Sequence, residues 1–153
     1  MDKVNLSTIT YLKLKYNNKV KASDRPMISG SKDAYQVFIN LWDMEMIGHV
    51  ESMKIMLLSK ANRVLGIAEI AKGGTGGCVV DVKVILQYAI QANASSIIIA
   101  HNHPSCNLKP SDADISVTKK IRDAAKLMDI TLLDHLIISP EEQYFSMSDE
   151  CLI

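Results

Sequence analysis

Residues 95–100 read SSIIIA, and the chain then turns abruptly to HNHPSCNLKPSDAD at 101–114. A short, continuous apolar run is buried on both faces, so this one reads as a central strand in a sheet covered by helices. The flanking segments supply those helices. Asp81–Ala94 repeats Val82, Ile85, Leu86, Ala89 and Ile90 at helical spacing, and Ser111–Met128 turns Ile115, Ile121, Ala125 and Met128 inward. A helix, a buried strand and a second helix in succession point to an α/β fold.

The remaining segments extend this pattern. Residues 50–59 and 63–71 read as two strands joined by Lys60, Ala61 and Asn62, with Asn62 able to take a positive φ in a hairpin. Residues 129–139 and 143–147 read as a late strand and an edge strand. Ser31 is placed to cap a helix to about residue 43, with Ala34, Val37, Phe38, Leu41 and Trp42 on one face. Residues 4–16 alternate loosely, as a strand or extended arm. The order β-α-β-β-α-β-α-β-β predicts a mixed β-sheet flanked by helices. With 153 residues, one domain is expected: an arm over 1–30 and an α/β domain over 31–153.

Composition narrows the function classes. Seventeen basic residues balance seventeen acidic ones. A strong non-specific nucleic-acid binder shows a basic excess, which is absent, although a local basic patch is compatible with the count. Near-neutrality lowers colloidal repulsion and is compatible with a homo-oligomer. Cys78, Cys106 and Cys151 are odd in number and form no CxxC, which fits a reducing cytoplasm. No run of about 18 apolar residues suggests a membrane span. The GGTGG loop at 73–77 lacks the Lys-Ser/Thr of a P-loop and reads as a connection.

The chemistry concentrates at 101–114. On an extended backbone, His101 and His103 point the same way, so both imidazoles can reach one ion. Ser111 opens a helix whose first turn carries Asp112 and Asp114. Two histidines and one carboxylate meet the needs of a catalytic zinc site, which keeps three protein ligands and one open position for water. Such chemistry also needs a carboxylate to move a proton and a donor for an oxyanion, and Ser111 is close enough to be that donor. Each residue has a plainer use: Ser111 and Asp114 also form a capping-box pattern, and the helix dipole favours Asp114 there anyway. The combination is what packing alone does not explain.

His101-x-His103, seven residues, Ser111, two residues and Asp114 resemble the JAMM motif of MPN-domain metalloproteases. HNHPS, LLDHLIIS (132–139), YFSMSDE (144–150), ANRVLG (61–66) and ANA (92–94) resemble the RadC-like branch of that superfamily. The resemblance covers roughly residues 33–153. It implies an MPN/JAMM, cytidine deaminase-like architecture, a Zn²⁺ cofactor on His101, His103 and Asp114, and a protein or peptide substrate. It also implies an upstream glutamate as general acid/base. Glu51, which opens a strand, is the best match, with Glu69 and Glu45 behind it. RadC proteins usually carry an N-terminal helix-hairpin-helix region, for which this chain has no room, so the catalytic domain alone is expected.

Two positions depart from related patterns. Asn102 stands where most MPN proteases have Ser or Thr, and Cys106 stands where RadC proteins usually have glycine. Cys106 reads as an inert thiol, with zinc ligation as the alternative. His135 reads as a strand-end histidine with an ordinary hydrogen bond, with orientation of a ligand histidine as the alternative. His49 reads as exposed, and Cys78 and Cys151 as packing residues. The leading expectation is a zinc-dependent hydrolase of amide bonds. The alternatives are a DNA-repair-associated nucleic-acid module and a metal-free interaction domain.

Overall fold

The computed structural model describes residues 19–74 and 78–153. The expected arm at 4–16 and residues 75–77 of the glycine loop lie outside them. The elements run α1 (Ser31–Ile39), β1 (Ser52–Leu58), β2 (Val64–Lys72), α2 (Val82–Gln91), β3 (Ser96–Asn102), α3 (Asp112–Lys126), β4 (Thr131–Ile138) and β5 (Tyr144–Ser146). The sheet order is β2-β1-β3-β4-β5. Only β3 and β4 pair in parallel; the other neighbours are antiparallel, so the sheet is mixed as expected.

The apolar run does become the middle strand, and every residue of β3 is buried. Strand alternation splits its side chains between two cores. Ile98 and Ala100 pack with Phe38 and Trp42 of the α1 side, while Ile97 and Ile99 pack with Ile85, Ala89, Ile121 and Ala125 of α2 and α3. The strand runs two residues further than the apolar run, so His101 and Asn102 belong to it.

Local chemistry explains the joints. Asn62 takes φ 53° in the β1–β2 hairpin. The Asp81 carboxylate caps α2 by accepting from the Lys83 N–H at 2.9 Å. Beyond the ends of α2 and α3, Asn93 and Asp129 adopt left-handed backbones that let Ala94 and Ile130 reach back to Ala89 and Ala125.

Four expectations are corrected. Helix α1 ends at Ile39, so the stripe stops short of Leu41, which is 58% exposed; Tyr35 is buried instead. Ser31 makes no cap bond and donates to Asp149 Oδ2 at 2.6 Å. Ile90 and Met128, expected inside, are exposed. Cys151 is exposed at a left-handed turn rather than packed.

Candidate metal centre

The centre sits where β3 ends and α3 begins. His101 continues the parity of Ile97 and Ile99, so it faces α3. Asp114 comes from the first turn of that helix. His101 Nε2 and His103 Nε2 lie 2.8 Å apart. The Asp114 carboxylate reaches His101 Nε2 at 3.2 Å through Oδ1 and His103 Nε2 at 3.6 Å through Oδ2. One ligand atom from each of the three lies within 4.8 Å of the others. Zinc bonds of about 2.0–2.1 Å at tetrahedral angles place ligand atoms about 3.3 Å apart, so the observed separations bracket what a zinc ion requires.

Hydrogen bonds orient each ligand. His103 Nδ1–H donates to the Asn107 carbonyl, leaving Nε2 toward the centre. The Ser111 N–H and hydroxyl both donate to Asp114 Oδ2 at 2.7 Å, and the Ser111 hydroxyl oxygen accepts from the Asp114 N–H at 3.1 Å. The capping box is therefore complete, and it leaves Oδ1 for the ion. His101 Nδ1 shares a 2.7 Å hydrogen bond with His135 Nε2, and His135 Nδ1 lies 2.6 Å from Thr118 Oγ.

The charges follow from these contacts. Hydrogen bonding to Asp114 lifts the His103 pKa, against the opposing effect of burial. Burial works to raise Asp114, but its contacts with the imidazoles of His101 and His103 outweigh it and hold the carboxyl far below its usual range. Burial drives His135 well below an ordinary histidine, so this ring is neutral near pH 7.

A cleft of about 620 Å³ opens over the centre, with Glu51, Met53, Cys78, His103, Ser111 and Asp114 among its walls. Of the three candidate glutamates, Glu51 is the one in this wall. Glu69 pairs with Lys54 at 2.8 Å, and Glu45 is exposed in the turn before β1. Cys78 faces the cleft, where burial and then the charge of Glu51 push its thiol up. Cys106 turns its sulfur toward the Pro104 carbonyl at 4.0 Å and is not in the ligand cluster.

Sequence reasoning missed two residues here and underrated a third. Asn102 alternates to the opposite face and is wholly buried. Its amide N–H groups donate to the Ile47 and Val50 carbonyls at 2.7 and 2.9 Å, and its oxygen accepts from the Ser52 N–H at 2.8 Å. These bonds bracket Glu51 and hold it at the cleft. Thr118 is buried beneath the centre; Asp114, Thr118, Ile121 and Ala125 share one helical stripe, a signal available in the spacing. His135, read as an ordinary strand-end residue, contacts His101 directly.

The family model of RadC-like JAB domains matches residues 28–152. An UPF0758 protein of Flavobacterium johnsoniae is 38% identical over 125 residues, 80% of this chain and 52% of that protein. A second, from Porphyromonas gingivalis, is 39% identical over 103 residues, covering 67% of this chain and 45% of its own length. The chain thus spans about half the length of these curated relatives. Among the described residues, no helix is long and apolar enough to cross a membrane.

Proposed function

The chain belongs to the family of RadC-like JAB domains, and on that premise we propose that it is a zinc-dependent hydrolase of amide bonds, a metallopeptidase or isopeptidase acting on a protein or peptide. The observation that carries this reading is the convergence of three ligand atoms beside a cleft whose wall holds His103, Asp114, Glu51 and Ser111.

His101, His103 and Asp114 would hold the ion. The chemistry zinc supplies when bound is acidification of water and polarisation of a carbonyl. Glu51 takes the proton of the attacking water on its carboxylate and passes it to the departing amine. Asn102 keeps Glu51 in reach by pinning the backbone on both sides of it. Ser111 turns its hydroxyl from Asp114 Oδ2 to the developing oxyanion, while its backbone N–H keeps that carboxylate in place.

The test joins metal content to cleavage. The purified chain should carry about one zinc per molecule, and it should cleave members of a peptide library. Glu51→Gln should keep the zinc and lose turnover by roughly 10²–10⁴-fold. A zinc-loaded chain that cleaves nothing, or a Glu51→Gln variant as active as wild type, would overturn the reading.

A further inference from the structure

We propose that His135 is a positioning residue for the metal centre, holding His101 in the one tautomer whose Nε2 is a bare lone pair and linking two ligands, His101 and Asp114, through one buried chain of hydrogen bonds. This inference rests on the reading of His101, His103 and Asp114 as metal ligands.

The polarity of the chain of bonds follows from its one unambiguous end. The Thr118 hydroxyl makes a close contact with the Asp114 carbonyl oxygen, and a carbonyl cannot donate. The single hydroxyl proton is therefore committed to that bond. Thr118 Oγ also lies 2.6 Å from His135 Nδ1, so it must accept there, and His135 carries its proton on Nδ1. His135 is wholly buried, with no carboxylate against either ring nitrogen, so it holds only that proton. Its Nε2 is then a bare acceptor, 2.7 Å from His101 Nδ1, and His101 must donate to it. In its neutral form His101, with its one proton on Nδ1, presents an unprotonated Nε2 to the centre. The opposite polarity would need the Thr118 proton for His135, leaving two oxygen acceptors pressed together with no hydrogen between them.

The fold builds this network from three consecutive elements. β3 supplies His101, α3 supplies Asp114 and Thr118, and β4 supplies His135. The parallel register places Ile99 opposite His135, so the His135 ring lies beside that of His101, with centroids 4.8 Å apart. The buried Met147 closes the lower side, its sulfur 3.6 Å from Thr118 Oγ. No buried side-chain polar atom among the described residues is left without a polar neighbour. An outer partner that takes a ligand's second N–H fixes the ring orientation and raises the basicity of the coordinating nitrogen.

Two measurements test this. Long-range ¹H–¹⁵N correlation on the chelator-treated, metal-free protein reads the tautomers directly: His101 and His135 should both carry their proton on Nδ1. A proton found on His101 Nε2 with Nδ1 bare would overturn the proposal. Separately, Zn²⁺ affinity is read by competition with a chromogenic chelator. His135→Phe keeps a ring but removes the acceptor, and should weaken zinc binding about 10–100-fold. His135→Gln restores an acceptor oxygen, and should bind within about threefold of wild type. Equal zinc affinity in His135→Phe and wild type would also overturn it. Should His135→Phe fail to fold, the wild-type tautomers still decide. Correct tautomers and affinities without peptide cleavage would sink the hydrolase reading and leave this one standing.

Discussion

His101 and Asn102 are neighbours at the end of β3 and face opposite sides of the sheet. Both are buried, and both are fully hydrogen-bonded among the described residues. Their surroundings differ in kind. On the Asn102 side, donors and acceptors match one for one with backbone: two amide N–H groups meet two carbonyls, and one amide oxygen meets an N–H. On the His101 side, two imidazole nitrogens and a carboxylate oxygen crowd one point, and with both rings neutral and their protons on Nδ1 all three offer lone pairs. A balanced set is finished when the chain folds. An excess of acceptors calls for something positive, either the proton that His103 gains beside Asp114 or a metal ion.

The comparison is broken or upheld most sharply by variants on the two sides. His103→Ala should abolish zinc binding, because a three-ligand site cannot spare one. It should cost the metal-free protein little, since His103 stands at the rim of the cleft. Asn102→Ala should do the reverse. It strands two carbonyls and an N–H, at about 1–3 kcal/mol for each group that stays buried. A loss near 3 kcal/mol lowers Tm by roughly 6–12 °C for a chain of this size. Thermal unfolding in chelator, alongside zinc titration, reads both. Equal destabilisation of the metal-free chain by the two variants would erase the distinction.

A subtler separation lies within Ser111, which serves the fold as a cap and, in the proposed reaction, serves the oxyanion. Ser111→Gly distinguishes the uses, because glycine replaces serine at a cap for only a few tenths of a kcal/mol. The Ser111 N–H that holds Asp114 Oδ2 remains. Zinc content and Tm should therefore stay near wild type while turnover falls about 10²–10³-fold. Undiminished turnover on a cleavable peptide would reduce Ser111 to a cap.

How much of this was legible in the sequence depended on distance along the chain. His101, His103, Ser111 and Asp114 lie within 14 residues, so strand parity and a cap pattern placed them together. The two halves of the sheet core were equally plain from the period of each segment. His135 looked ordinary because its neighbour is set by the β3–β4 register, which only the packed α3 crossover decides. Asn102 was opaque because its partners lie 50 to 55 residues away. Helix α1 was read too long because Trp42 keeps the apolar period in a turn beyond the helix end.

The smallest expected effect concerns Cys106, where the resemblance expects glycine and the backbone supplies the reason. Cys106 has φ 61°, in the left-handed region that costs an ordinary side chain about 1–2 kcal/mol. The conformation is needed. Cys106 N–H closes a turn on the His103 carbonyl at 3.1 Å, and the next residue, Asn107, turns its carbonyl to His103 Nδ1. A strained residue thus orients His103, a ligand in the proposed centre. Cys106→Gly should relieve that strain, though glycine returns part of the gain by loosening the unfolded chain. The net expectation is a stabilisation of about 0.5–1 kcal/mol, or a Tm rise of roughly 1–4 °C. Cys106→Ser, which keeps a side chain on the same backbone, should show no such rise. Neither variant should lose zinc, because the sulfur points to the Pro104 carbonyl rather than to the ligand cluster. Loss of zinc in both would make the thiol a ligand. A lower Tm in Cys106→Gly alone would mean that the side chain holds the turn, and the left-handed backbone would no longer explain the glycine that the resemblance expects.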